Sequence, residues 1–540
     1  MGIPSYFSYI TRKYPKIISE FRATTSPVNR LYLDCNSIVY DAMRKPPAMN
    51  STTANIAEFE NELISRVINQ IRKYIAKIAP SNGVFIAFDG VAPLAKMKQQ
   101  RTRRYKAAAM ASGVTAWSTA NITPGTNFMN QLSMRVADAF SSRGTLIVNV
   151  SGSTEAGEGE QKMFAHMRAH ANLSEIIAVY GLDADLIMLG LFHTRICKRI
   201  IICREAPSFN QPAKHTKKTS ASEELLLLDI NVLSISIKDH MKCGGNASNH
   251  VVMDYVFMCF FLGNDFMPHF PALNIRTHGM DAILDVYRQT FSRSQFRSSL
   301  LTPDLRIHWP SLHQWLQNLA KYEYGWLLNE YTAREKAAAR LNTMPPPSPP
   351  PTTPLSIEEK MLHVPLIYRE KEKYICPYED GWEIRYYTAL FPGYTSTPNA
   401  IIQSFFEGLE WVLAYYTAEC LDWRWLYPYE YAPLLADLSK HAPRTKDPSF
   451  GWVPSNPVHP HTQLAYVTPI TLHRIIPNIH FQEILRTTYA ALYISPKNPT
   501  YEWAFCRYMW EAHAHMPVIS TDVIADMDTY NHHFADANNL

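Results

Sequence analysis

The chain has 540 residues, 46% of them hydrophobic and 19% charged, with a formal net charge of +4. This is ordinary globular composition, long enough for several structural units or for one large α/β body. So small a net charge excludes a global field as the source of any nucleic-acid affinity, which must come from local clustering.

No apolar run approaches the ~18–20 residues that a membrane span needs, so no membrane partner is expected. The opening stretch, MGIPSYFSYITRKYPKIISEF, is amphipathic and lacks the apolar core of a secretory signal. Gly2 begins a myristoylation-like pattern, but Tyr6 stands where that motif needs Ser or Thr. Over residues 1–270, β-like and helical segments alternate. Apolar runs at RLYLD, VFIAFD, TLIVNV, IIAVYGLD, LIMLGLF and KRIIIC predict buried strands, and IAEFENELISRVINQIRKYIAKI predicts an amphipathic helix. Such alternation predicts an α/β fold with a largely parallel sheet, helices on both faces, and ligands beyond the carboxyl ends of the strands.

Residues 271–343 read as a helical extension. Then MPPPSPPPTTP, Met344 to Pro354, packs seven prolines into a stiff connector, taken as residues 344–356. An aromatic-rich region follows over 357–530, and the polar, His- and Asn-rich end, 531–540, is expected to fray. No repeat of ~20–50 residues is evident. The eight cysteines are scattered singly with no CxxC pair, which argues against structural zinc. Free thiols in apolar segments suit a reducing interior, so the expectation is intracellular, the cytoplasm before the nucleus.

Three β-like runs end in aspartate: Asp34 after LYL, Asp89 after VFIAF, and Asp183 with Asp185 after IIAVYGL. In a parallel sheet those ends gather on one rim. EAGEGEQKM adds Glu158 and Glu160 where a loop enters a helix, and FMCFFLGNDFMPH adds Asp265 after a strongly apolar helix. A lone aspartate is ordinarily a helix cap, a turn residue or a salt-bridge partner. Three strand ends together with D-x-D and E-x-E argue for a site. Packed carboxylates repel unless cations neutralise them. Hard oxygen donors suit Mg²⁺ or Mn²⁺, and two such ions ~4 Å apart serve in-line phosphoryl displacement. Calcium storage is disfavoured by the lack of a D-x-D-x-D-G loop, and a serine hydrolase by the lack of a G-x-S-x-G elbow.

Shortly beyond Asp89, DGVAPLAKMKQQRTRRYKAA reads as a helix from Ala92 onward. Lys96, Gln100, Arg103 and Arg104 then share one stripe, roughly 100° wide, suited to something anionic. A solvated basic face would look the same in isolation. The neighbouring acids favour a phosphate-gripping role and phosphodiester hydrolysis.

Several blocks resemble, in order, those of the XRN/Rat 5′→3′ exoribonucleases. They are MGIPSYFSYITRKYP, LYLDCNSIVYDA, FDGVAPLAKMKQQRTRRYKAA, NITPGTNFM, SGSTEAGEGEQKM, YGLDADLIMLGL and FFLGNDFMPHFPAL. LIYREKEKYI, FFEGLEWVLAYYTAECLDWRWLYPYEYAP and HPHTQLAYVTP resemble the family's second conserved region. The resemblance implies a PIN/flap-nuclease-like sheet with a helical, aromatic-rich region packed on it, in a compact member holding the catalytic core only. It also implies two Mg²⁺ ions, Mn²⁺ being the alternative, held by Asp34, Asp89, Glu158, Glu160, Asp183, Asp185 and Asp265. Lys96, Gln100, Arg103 and Arg104 would form the 5′-phosphate pocket. The implied substrate is single-stranded RNA with a 5′ monophosphate, decapped or processed, cut to mononucleotides, with room for protein cofactors.

Relatives clamp the first base between a histidine and a tryptophan. Here Tyr40 takes the histidine position and either Trp423 or Trp425 the other; tyrosine still offers a stacking face. Gln161 and Glu430 also depart from the usual GEGEHK and YPYHYAP. EWVLAYY, at helical spacing, reads as core packing. A flap-type 5′ DNA nuclease shares the carboxylates but calls for a helix-hairpin-helix element, of which no G-x-G trace follows Asp265. An inactive RNA-binding scaffold is the other alternative, although all seven acids and four donors are present.

Overall fold

The structure, a computed structural model, describes residues 2–23, 27–44, 56–110, 117–141, 146–205, 225–241, 250–291, 299–343, 361–445, 450–493 and 500–538. Seven strands form one sheet: β1 (Ile18–Glu20), β2 (Arg30–Asp34), β3 (Gly83–Ala87), β4 (Ile147–Ser151), β5 (Ile176–Tyr180), β6 (Arg199–Glu205) and β7 (Leu225–Asp229). Their spatial order is β1-β7-β6-β5-β2-β3-β4. The pairs β6–β5, β5–β2, β2–β3 and β3–β4 are parallel, whereas β7 runs antiparallel to both β6 and β1.

Period-2 alternation sorts the strand side chains between two cores. Tyr32, Phe85, Ile177, Val179, Ile200 and Ile202 face one side. Leu31, Leu33, Val84, Ile86, Ala178 and Ile201 face the other. Helices cover both faces: α1 (Tyr6–Lys13), α2 (Cys35–Arg44), α3 (Ile56–Ile78), α4 (Leu94–Met110), α5 (Asn127–Phe140), α6 (Gly159–His170), α7 (Asp185–Phe192), α8 (Ile230–Met241) and α9 (His250–Cys259). The apolar stripe of α3 (Phe59, Leu63, Val67, Ile71) packs with α2 and α5 on one face, and α6 to α9 bury theirs on the other.

Two expected strands differ. LIMLGLF lies in α7, every residue of which is buried. A short, wholly apolar run carries no periodicity to separate a buried helix from a buried strand. TLIVNV contains β4, but this strand is outermost in the sheet and half exposed, with Ile147 open to solvent. β1 and β7 are not among the strands the apolar runs predict. One is three residues long, and the other, LLLLD, sits in a leucine run that reads equally well as helix.

The chain continues through α10 (Gly279–Phe291), α11 (Trp309–Thr343), α12 (Val364–Ile367), α13 (Glu370–Ile375), α14 (Trp382–Leu390), α15 (Asn399–Thr417), α16 (Leu435–His441), α17 (Pro460–Val467) and α18 (Ile479–Thr487). A small hairpin of β8 (Thr500–Glu502) and β9 (His513–His515) then precedes α19 (Thr521–Asn538). The proline-rich connector, 344–356, lies outside the described residues. The end expected to fray is helical through Asn538, and Asn531 is buried, its Nδ2 donating to Thr462 Oγ1 at 3.1 Å. Ile524, Met527 and Asn531 recur at helical spacing on the buried face, which anchors the polar tail.

Trp411, Tyr416 and Trp425 share one apolar core with Tyr32 and Val179 of the sheet, so the aromatic-rich region completes the core. Helix α4 is tied to that region by three cations. Lys98 donates to the Tyr427 and Tyr429 carbonyls, Arg101 to those of Leu492 and Pro517, and Lys106 to those of Trp510 and Ala512. Among the described residues, no helix is long and apolar enough to cross a membrane, and no cysteine is in a disulfide.

Candidate active site

Parallel strands β2, β3 and β5 deliver their acidic ends to one rim. Asp34 closes β2, Asp89 lies two residues past β3, and Asp183 follows β5 just before Asp185 opens α7. Glu158 is the residue before α6 and Glu160 lies in its first turn. Asp265 follows the helical turn Phe260–Leu262 that extends α9. Asp34, Asp89, Glu158, Glu160, Asp183 and Asp265 line one cavity of about 490 Å³. Asp185 is buried next to Asp183, its backbone N–H donating to Asp183 Oδ1 at 3.3 Å.

The charge gathered here is only partly compensated by protein groups. Burial, with repulsion from Asp89 and Asp183, pushes the Asp34 carboxyl up to about 8. Burial and Asp183 push Asp185 up to about 7, and burial with Glu158 holds Glu160 well above its ordinary range. Burial also raises Glu158, against the pull of Lys96. Lys96 Nζ bridges Glu158 Oε1 at 2.6 Å and Asp265 Oδ2 at 2.8 Å. Burial alone would lower that ammonium, but Asp265 and Glu158 hold it well above the usual lysine range. The same contact overrides burial at Asp265 and keeps that carboxyl well below the usual carboxylate range.

Of the predicted stripe, Lys96, Gln100, Arg103 and Arg104 all line this cavity. Lys96 is committed to the acids; the others are not. Gln100 is buried with its Oε1 unbonded, and Arg104 Nε is likewise buried without a partner. Among the described residues, neither Arg103 nor Arg104 has a carboxylate at ion-pair distance. Burial lowers the Arg104 guanidinium to about 10. Buried donors and acceptors left unpaired are costly, and those of Gln100 and Arg104 belong to residues lining one cavity.

Tyr40 lines the cavity as well, half-buried on α2 with the Arg44 guanidinium 6.0 Å from its ring centroid. Neither tryptophan does. Trp425 is a core residue, stacked on Trp411 at 5.1 Å with Trp452 edge-on at 6.3 Å. Trp423 is half-buried, and its carbonyl accepts from Leu94 N–H at the start of α4.

Several neighbours of the site carry no signal in the sequence. Asn36 exchanges hydrogen bonds with Asp89, accepting from its backbone N–H at 3.1 Å and donating to Oδ2 at 2.5 Å; Gly159 N–H holds Oδ1 at 2.7 Å. Tyr415 and Tyr416, within EWVLAYY, pack as expected. They also donate to Glu158 Oε2 and Asp185 Oδ1, each at 2.8 Å. Ile3, Ser5 and Phe7 of the N-terminal segment line the cavity, as does Arg204 at the end of β6. Gly2, with φ +53°, sits so close that a Cβ on it would lie 2.3 Å from Asp185 Oδ1.

Among the described residues, no three acidic, His or Cys side chains converge as a ready ligand set. The carboxylates are turned to Lys96, Asn36, Gly159 and the two tyrosines. The donor chemistry nonetheless fits hard divalent ions. It is all oxygen, on one rim, with Asp34, Glu160 and Asp185 raised by burial and by the neighbouring carboxylates.

Fold and site define a class: α/β proteins with a cluster of carboxylates at the carboxyl edge of a parallel sheet, beside a helix carrying Gln100, Arg103 and Arg104. The description XRN 5′-3′ exonuclease N-terminus matches residues 1–206, and Xrn1 helical domain matches 247–342 and 368–538. The chain belongs to the XRN 5′-3′ exonuclease family. It is 30% identical over 400 residues to 5′-3′ exoribonuclease 2 of Saccharomyces cerevisiae, a match covering 60% of this chain and 39% of that protein. Its namesake in Candida albicans is 24% identical over 670 residues, covering 90% of this chain and 67% of the relative. The Gallus gallus protein of the same name is 25% identical over 668 residues, with 96% and 69% covered. The chain thus spans well under half of the first relative and about two thirds of the others.

Proposed function

We propose that this protein is a 5′→3′ exoribonuclease that removes mononucleotides from single-stranded RNA bearing a 5′ monophosphate. One observation carries the reading. Six carboxylates, with Asp185 buried beside Asp183, share a single cavity with Gln100, Arg103 and Arg104, of which Gln100 Oε1 and Arg104 Nε are buried without a partner. Asp34, Asp89, Glu158, Glu160, Asp183, Asp185 and Asp265 would hold two Mg²⁺ or Mn²⁺ ions, which supply water activation and stabilisation of the leaving oxygen.

The chain's own groups do the rest. Arg103, Arg104 and Gln100 grip the terminal phosphate by charge-assisted hydrogen bonds, which fixes the end and sets the next linkage over the carboxylates. Lys96 holds Glu158 and Asp265 together and lowers the repulsion of the rim. Tyr415 and Tyr416 orient Glu158 and Asp185 from α15. Tyr40 offers a stacking face to a base, with Trp423 as the remaining candidate for the opposite face. A triphosphate or cap brings further negative charge and bulk against the acidic rim, so decapped or processed RNA is the substrate.

The test uses 3′-labelled RNAs with 5′-monophosphate, hydroxyl or triphosphate ends, and matching DNAs, each incubated with protein and Mg²⁺. Only the monophosphorylated RNA should shorten from its 5′ end. Equal attack on DNA would favour a flap-type nuclease, and binding without cleavage would favour a scaffold.

A further inference from the structure

Arg204 stands apart from the stripe on α4. It lies at the carboxyl end of β6, three strands from β3 in the order β6-β5-β2-β3, so ~14 Å separates the two strands at the usual spacing. It lines the same cavity as six of the acids and as Arg103 and Arg104 of α4. Its guanidinium lies 4.1 Å from the ring centroid of Phe7, which fixes the side chain by cation–π contact. Among the described residues, no carboxylate is at ion-pair distance, and Nε is buried without a hydrogen-bond partner. Burial accordingly lowers its pKa, with Asp183 and Tyr180 acting weakly the other way. A half-buried arginine that is oriented by an aromatic ring, open to a cavity and unpaired is built for an anion arriving from outside.

In the sheet order, β2 and β5 with their acidic ends lie between β3, which leads into α4 with Arg103 and Arg104, and β6, which carries Arg204. A strand gripped by its end phosphate on α4 must cross the rim formed at β3, β2 and β5 before it reaches β6. We propose that Arg204, seated on Phe7, binds an internucleotide phosphate of single-stranded RNA downstream of the cleaved linkage. This assignment rests on the exoribonuclease reading above and adds the strand's direction, from α4 across the acids to β6. It also divides the labour between arginines. Arg103 and Arg104 read the end; Arg204 reads only backbone, so it contributes affinity and grip between cuts without discriminating ends.

The experiment compares wild type, Arg204→Ala and Arg204→Lys on 5′-phosphorylated and 5′-hydroxyl RNA of ten nucleotides and on a 5′-phosphorylated dinucleotide. Binding is measured without divalent ions over a salt series, and cleavage with Mg²⁺. Arg204→Ala should weaken binding of both ten-nucleotide RNAs alike, by roughly ten- to a hundredfold. The slope of log affinity against log salt should become shallower by ~0.7, as for one lost phosphate contact on a single strand. The dinucleotide should be unaffected, and Arg204→Lys should keep the salt slope while losing part of the affinity. A change in the preference for 5′-monophosphate over 5′-hydroxyl would overturn the assignment by making Arg204 an end reader. An unchanged salt slope in folded Arg204→Ala would make it a packing residue. Should Arg204→Ala unfold, the Arg204→Lys slope and Phe7→Leu, which removes the ring but no charge and should weaken the ten-nucleotide RNAs alone, decide the matter. If wild type cuts no RNA but its binding still responds to Arg204, the exonuclease reading fails and the phosphate contact stands. If wild type cuts RNA and Arg204→Ala matches it throughout, only this inference fails.

Discussion

Replacing Arg104 by methionine keeps the aliphatic stem and removes a guanidinium for which the protein provides no counter-charge. Burial lowers this group from 12.5 to about 10. At ~1.4 kcal/mol for each tenfold change, that is on the order of 3.5 kcal/mol of unfavourable desolvation carried by the ligand-free protein. A terminal phosphate would offset the cost and add a charge-assisted bond of ~1.5–3 kcal/mol. Arg104→Met should therefore lower kcat/KM on 5′-monophosphate RNA by roughly ten- to a hundredfold and leave 5′-hydroxyl RNA within a few-fold of wild type. Thermal stability should move the other way, with Tm unchanged or higher, because a buried unpaired charge has gone. Parallel kinetics on the two RNAs and a thermal melt of the same preparation check both halves. Equal loss on the two substrates, or a clear fall in Tm, would refute the reasoning: the first makes Arg104 a general backbone contact, the second a structural cation.

Asp183→Ala combined with Asp185→Ala should reduce turnover by several orders of magnitude. Relief of repulsion offsets the lost Tyr416 bond, so Tm should change little; retention of more than about a tenth of the activity would sink the two-ion assignment. Tyr40→Ala should shorten the run of nucleotides removed per encounter, whereas Tyr40→His should be near neutral. A destabilised but fully processive Tyr40→Ala would place the ring in the core instead. Gly2→Ala forces a Cβ to 2.3 Å from Asp185 Oδ1, so turnover should drop more than about tenfold while RNA binding persists. Wild-type turnover would show that the segment moves freely. His193 and His473 are both held near 4 by burial, below the ordinary 6.5. Depressed folded values give stability that is present above pH ~6.5 and lost toward pH 4, about 2 kcal/mol each by pH 5. Denaturant titrations at pH 7 and pH 5 should show that fall, flattened in a His193→Gln, His473→Gln double variant.

Local patterns exposed the acids because the chemistry repeats itself locally: an apolar strand, then aspartate, on three occasions. The α4 stripe was legible for a similar reason, since helical spacing alone puts Lys96, Gln100, Arg103 and Arg104 on one face. What spacing could not separate was which cation serves the ligand and which the fold. Lys98, Arg101 and Lys106 of the same helix are spent on carbonyls, and Lys96 on carboxylates. LIMLGLF forms a helix and not a strand, and a helix buried on every side has no polar face to reveal its period. Trp425 could not be told from Trp423 without knowing that Trp411 already covers its ring. Tyr415, Tyr416 and Arg204 lay beyond reach for another reason: their roles depend on pairings that no local pattern encodes.

The tyrosine contacts carry a consequence for the order in which the protein is made. Glu158 and Asp185 are supported by hydroxyls 257 and 231 residues further along the chain. A ribosome that has finished Asp265 has already produced all seven acids and every α4 donor, yet α15 is still untranslated. Until it emerges, Glu158 and Asp185 lack the two tyrosine hydroxyls, and the core shared by Tyr32 and Trp411 is open. The order of synthesis thus places the two hydroxyls that orient Glu158 and Asp185 after all seven acids.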